Sequence, residues 1–104
     1  MIYISDNKNR KIRFSDERKI HLEENHPEMN NQLDKIEETL TSPDIIIKSK
    51  TDLTVELFYK YYSVTPVSAK YLCVITKFAD GDNFIITAYF TDTIKKGKLI
   101  WKKK

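Results

Sequence analysis

Residues 83–101 read NFIITAYFTDTIKKGKLIW. From Phe84 to Thr91 the side chains alternate: Phe84, Ile86, Ala88 and Phe90 fall on one side, Ile85, Thr87, Tyr89 and Thr91 on the other. A period of two is the signature of a strand, here with one dry face and one hydroxyl-bearing face. Beside the lysines that follow (Lys95, Lys96, Lys98), such a face could receive a phosphate-bearing ligand. Thr and Tyr are also favoured on a sheet face turned to water, by propensity alone.

Working outward, Ala79-Asp80-Gly81-Asp82 carries an Asp-Gly hairpin signal and joins this strand to another, Lys70 to Phe78. Before it, Val55 to Tyr62 and Ile45 to Ile47 read as two more strands, and Lys98 to Lys102 as a short final one. Upstream the period changes. Leu33, Ile36 and Leu40 are spaced as the buried stripe of a helix over roughly Asn30 to Thr41. Ser15-Asp16-Glu17 is a helix start, with a capping hydroxyl and acids in the first turn. That first helix ends at about Asn25, because Pro27 drives the residue before it out of helical geometry. Met1 to Ile4 and Lys11 to Phe14 are brief extended pieces flanking an Asp- and Asn-rich turn. The expected fold is α+β: two N-terminal helices packed on a four- to five-stranded antiparallel sheet, in a single domain over residues 1–104.

Composition narrows the class. The 104 residues suffice for one modest core, and 32% charged residues argue a soluble surface. No apolar run approaches the roughly 20 residues that span a bilayer, and the N-terminus lacks a signal-peptide pattern. One cysteine and two histidines five apart offer no metal-binding spacing. A cytoplasmic setting, with no metal, cofactor or membrane partner, is the expectation. The net charge of +3 is unremarkable, but its distribution is polarised. Acids concentrate in the first half, whereas six of the last ten residues are lysine and none is acidic. That pattern can set a basic edge against phosphates, and it is also how a solvated tail reads.

Strand parity then sorts the sheet faces. Leu72, Val74, Thr76 and Phe78 should face the helices, leaving Lys77 on the opposite face with Thr87 and Tyr89. Tyr59 and Tyr61 share a parity, but which face they take is open. A histidine at a helix end, a strand lysine, a threonine and a tyrosine suit metal-free RNA cleavage. Imidazole can take the proton of a ribose 2′-hydroxyl. Lys77, Thr87 and Tyr89 could stabilise the phosphorane, and exposed aromatics could stack on unpaired bases. The plainer readings are a partly buried helix residue for His21, a capping residue for His26 and a solvated sheet residue for Lys77.

Ser15-Asp16-Glu17-Arg18 and His21-Leu22-Glu23-Glu24-Asn25-His26-Pro27-Glu28-Met29 resemble the helix-plus-HPE signature of small phage- and mobile-element-associated domains. Tyr71-Leu72-Cys73-Val74, Lys77, Phe84 to Tyr89, Lys96-Gly97 and Trp101 look like the C-terminal strands of the same group. Those domains belong to the barnase/EndoU/colicin/RelE-like nuclease superfamily, and the resemblance spans about residues 12 to 101. It implies a toxin-like, metal-independent endoribonuclease with His26, Lys77, Thr87 and Tyr89 as catalytic residues. His21 matches the earlier helix histidine of the group. With Tyr59, Tyr61, Lys95 and Lys96 it completes the expected substrate-binding set. RNA is the implied substrate, and an antitoxin or immunity protein the implied partner. Many members carry Arg before the HPE histidine, where this chain has Asn25; losing that bidentate fork weakens phosphate holding. The alternatives are an inactive RNA-binding module of the same fold and a protein-interaction domain presenting its tyrosine face.

Overall fold

Sheet, more than helix, organises this chain: 43% of residues lie in strands against 21% in helices. The computed structural model describes residues 1–104. In chain order come β1 (Ile2–Ser5), β2 (Lys11–Phe14), α1 (Asp16–Asn25), a 3-10 turn (Pro27–Met29), α2 (Leu33–Thr41), β3 (Ile45–Lys48), β4 (Val55–Tyr62), β5 (Lys70–Ala79), β6 (Asp82–Thr91) and β7 (Lys98–Lys102). All seven strands form one mixed sheet in the order β1-β2-β6-β5-β4-β3-β7.

This corrects the expected layout of two N-terminal helices on a four- to five-stranded antiparallel sheet. The hairpin β1–β2 precedes the helices and joins the sheet through a parallel contact of β2 with β6, at Arg13 and Phe84. That contact links residues some seventy positions apart, and no local pattern encodes it. The meander β3-β4-β5-β6 is antiparallel as expected. β7, however, does not extend it beside β6. It returns to the far edge and pairs with β3.

The return has a consequence for both faces. Residues 92–97 must cross β5, β4 and β3, and they cover the face that the helices leave free. Ile94 packs there against the cluster formed by Ile47, Leu57, Tyr59 and Cys73, and the Lys95 amide donates to the Tyr59 hydroxyl at 3.0 Å. The sheet therefore has two cores. The larger, under the helices, gathers Ile12, Phe14, Leu22, Met29, Ile36, Leu40, Phe58, Leu72 and Val74, among others. α2 lays Ile36, Thr39 and Leu40 into it at helical spacing, whereas α1 buries only Leu22.

β6 departs from strict alternation. Ile85 and Ala88 both lie in the helix-side core, three residues apart, which a regular strand forbids. A bulge resolves this: Thr76 pairs with Ile85 and Ile75 with Thr87, so Ile86 is the extra residue. Beyond the bulge, Thr87, Tyr89 and Thr91 keep the parity read from the sequence.

Gly97 marks where the crossover meets β3. A Cβ there would stand 2.5 Å from both the Ile47 Cγ2 and the backbone oxygen of Lys48, and the backbone cannot swing away as a side chain can. Gly97→Ala should therefore lower stability by about 1–3 kcal/mol, read as a reduced thermal midpoint. An unchanged midpoint would mean that the crossover has slack at this point.

Candidate functional site

Because β2 pairs with β6 only at Arg13 and Phe84, the rest of the outer edge of β6 has no strand paired with it. α1 and the 3-10 turn pack against that edge instead. Ser15 caps α1, its Oγ accepting from the Arg18 amide at 3.1 Å. The helix closes at His26, whose amide donates to the Leu22 carbonyl at 2.8 Å, and Pro27 opens the next turn. These two local signals fix where His26 leaves the helix.

There the His26 ring stacks on Tyr89, with centroids 5.7 Å apart and planes 28° from parallel. The histidine side chain is about one-third exposed. Glu28 Oε2 stands 3.7 Å from Nδ1, too long for a hydrogen bond, so Nε2 is the nitrogen that does not face a carboxylate. Tyr89 is opposite Cys73, and Cys73 opposite Tyr59, in one row across three strands. Burial raises the pKa of the Tyr89 phenol, which keeps it protonated as a hydrogen-bond donor and makes it a reluctant proton donor.

Next to this edge lies a polar basin of about 390 Å³, lined by Arg13, Ser15, Glu17, Arg18, His21 and Asn25 and by no apolar side chain. Ile12 and Phe14 point into the core, so Arg13 between them points to the opposite face. Arg18, His21 and Asn25 recur at helical spacing along α1. Both arginines were legible in principle: Arg13 from strand parity in Lys11-Ile12-Arg13-Phe14, Arg18 from its place three before His21. Arg13 also contacts Asp82 (Nε to Oδ1, 3.2 Å; Nη2 to Oδ2, 3.1 Å) and lies over the Phe84 ring. His21 is exposed, with Glu17 Oε1 3.9 Å from its Nε2.

The other expected site residues scatter. Lys77 is on the face opposite the helices, but its Nζ is 2.6 Å from Asp52 Oδ2. Bonds from Lys77 and Thr54 hold the Asp52 carboxyl down at about 2. Lys77 thus reaches the surface with its charge already matched. Thr87 sits opposite Ile75 at the bulge. Tyr59 is wholly buried beneath the 92–97 crossover and has no surface to offer a base; Tyr61 is exposed and packs edge-on to Tyr71 at 5.4 Å. Lys95 and Lys96 lie on the crossover and line a separate pocket with Ser49, Lys50, Thr51, Val55, Leu57 and Ile75. So the fold joins His26 with Tyr89, sets His21 beside two arginines, and leaves Lys77, Tyr59 and the crossover lysines elsewhere.

Cys73 takes no part in this chemistry. Burial raises its thiol to about 11, so almost no thiolate forms near neutrality. A thiol reagent at pH 8 should leave it unmodified in the folded protein and modify it once the chain is unfolded. Rapid labelling of the native state would contradict its burial.

No helix is long and apolar enough to cross a membrane. Comparison with protein families, with characterised proteins and with solved structures gave no match to this chain.

Proposed function

We propose that this protein is a small, toxin-like endoribonuclease of the barnase/EndoU/colicin/RelE-like superfamily. It would cleave RNA by attack of the 2′-hydroxyl, work in the cytoplasm and be restrained by an antitoxin or immunity protein. The motif resemblance carries the family assignment; the seven-stranded sheet adds nothing to it. The observation that carries the chemistry is His26 stacked on Tyr89 at the free edge of β6, beside a basin holding His21 and two arginines.

In this mechanism the scissile phosphate lies in the basin. Nε2 of His26 takes the proton from the 2′-hydroxyl as that oxygen bonds to phosphorus. Arg18, which makes no ion pair, faces the phosphorane oxygens, where fixed charge is worth most as negative charge develops; Arg13, held by Asp82, contributes less, as Lys77 does beside Asp52. Arg18 supplies the guanidinium that Asn25 lacks, from two helical turns earlier on the same side of α1. His21 gives a proton to the departing 5′-oxygen, leaving a 2′,3′-cyclic phosphate. Tyr89 holds the imidazole in place by stacking on it, while its phenol is turned to Cys73.

A second reading, RNA binding without cleavage, is favoured by the pairing of Lys77 with Asp52, which removes the lysine expected at the phosphate. Production in cells separates the two. The native chain should suppress growth and His26→Phe should not, while a binding module would be tolerated equally in both forms. In either reading RNA affinity should fall steeply with salt.

A further inference from the structure

Of the three pockets, the one beneath the crossover is the only one with no acidic residue in its lining. Its volume is about 340 Å³, within the range of ligand pockets. Its wall is divided by chemistry. Val55, Leu57 and Ile75 supply an apolar floor on the sheet, while Lys50, Lys95 and Lys96 stand around it with the hydroxyls of Ser49 and Thr51.

Three lysines of the chain are matched, Lys19 by Glu23, Lys70 by Asp92 and Lys77 by Asp52, and the rest are not; what sets this pocket apart is that three unmatched ones line it together. Lys50, Lys95 and Lys96 make no ion pair. Asp52, next to Thr51 in sequence, is already engaged by Lys77 and Thr54. Three unmatched cations at one mouth repel one another, and an anion there relieves that repulsion. An apolar floor under a cationic rim fits a flat ring joined to a phosphate.

We propose that this pocket binds one nucleotide unit, with its base on Val55, Leu57 and Ile75 and its phosphate among Lys50, Lys95 and Lys96. Ile75 is opposite Thr87, one strand spacing (about 4.8 Å) from β6. Tyr89, two residues further on, carries His26. The pocket therefore lies on the same side of the sheet as the His26 edge. Its role as the seat of a nucleotide flanking the cleaved bond rests on the nuclease reading, but its ligand chemistry does not.

The test is a titration of the protein with 5′-adenosine monophosphate, followed by amide shifts, beside the double variant Lys50→Glu/Lys96→Glu. The nucleotide should shift the amides of Ser49 to Thr51 and of Lys95 and Lys96. The double variant should bind at least tenfold more weakly, and adenosine or inorganic phosphate alone should each bind at least tenfold more weakly than the nucleotide. Unshifted amides, equal affinity in the double variant, or phosphate alone binding as tightly would each overturn the pocket. Nucleotide binding without RNA cleavage would reject the nuclease reading and leave the pocket standing; cleavage without nucleotide binding would do the reverse.

Discussion

Arg10→Ala should destabilise the fold by about 3–5 kcal/mol, the range for removing one partner from a buried ionic cluster. Arg10 sits in the β1–β2 turn and spans two carboxylates. Its Nε donates to Asp6 Oδ2 at 2.7 Å, and Nη1 and Nη2 donate to Glu56 Oε2 and Oε1 at 3.0 and 2.8 Å. The guanidinium also lies 3.8 Å from the Phe78 ring centroid. The Asp6 carboxylate is completely buried and that of Glu56 nearly so. Without the arginine, two charges are left out of water with their main partner gone. Domains of this size are stable by only about 5–15 kcal/mol, so the loss is a large fraction of the total. At about 4–8 °C per kcal/mol, the thermal midpoint should drop by on the order of 12–40 °C. Arg10→Lys keeps the charge but not the fork, and should fall between. By contrast Lys19→Ala, which removes a half-exposed i, i+4 pair with Glu23, should cost under about 1 kcal/mol. Equal effects for Arg10→Ala and Lys19→Ala would contradict this account of how the hairpin is fastened to β4.

His26→Phe should lower the rate of RNA cleavage by about 10²–10⁴-fold, the usual contribution of a positioned general acid or base. Phenylalanine preserves a ring against Tyr89 and deletes both nitrogens. The stack itself contributes about 0.5–1.5 kcal/mol, so a folded variant is expected and a loss of rate cannot be blamed on unfolding. Tyr89→Phe is the companion: it keeps the ring and removes the phenol. Because the ring does the holding and the phenol is turned to Cys73, this change should cost far less than His26→Phe, with the pH profile unmoved. A His26→Phe protein cleaving at the native rate would remove His26 from the mechanism.

The helices and the β3–β6 meander were readable because their signals are local: Ser15 as a cap, Pro27 as a stop, helical spacing at Leu33, Ile36 and Leu40, and Asp-Gly before β6. What escaped was set by distant parts of the chain. The β2–β6 contact rests on one residue pair far apart in sequence, and the return of β7 to β3 depends on where Ile94 and Gly97 find room. The same crossover explains why Tyr59 is core and not a stacking platform. The bulge at Ile86 is invisible to a parity argument, since Ile85 and Ile86 are equally apolar and only burial distinguishes them. At the site, His26 and Tyr89 were both singled out from sequence, but their stacking was not deducible. It arises because β2 leaves the edge of β6 free for α1. Arg10, Asp6 and Glu56 gave no signal at all, being charged residues in a turn and a strand that only the fold brings together.

The most direct measurement is incubation of purified protein with a mixed RNA pool in excess EDTA, with end-group analysis of the products beside His26→Phe. The account predicts discrete fragments ending in 2′,3′-cyclic phosphate, absent with the variant. No cleavage by the folded native protein at any concentration, on free RNA or on RNA engaged by ribosomes, would contradict it.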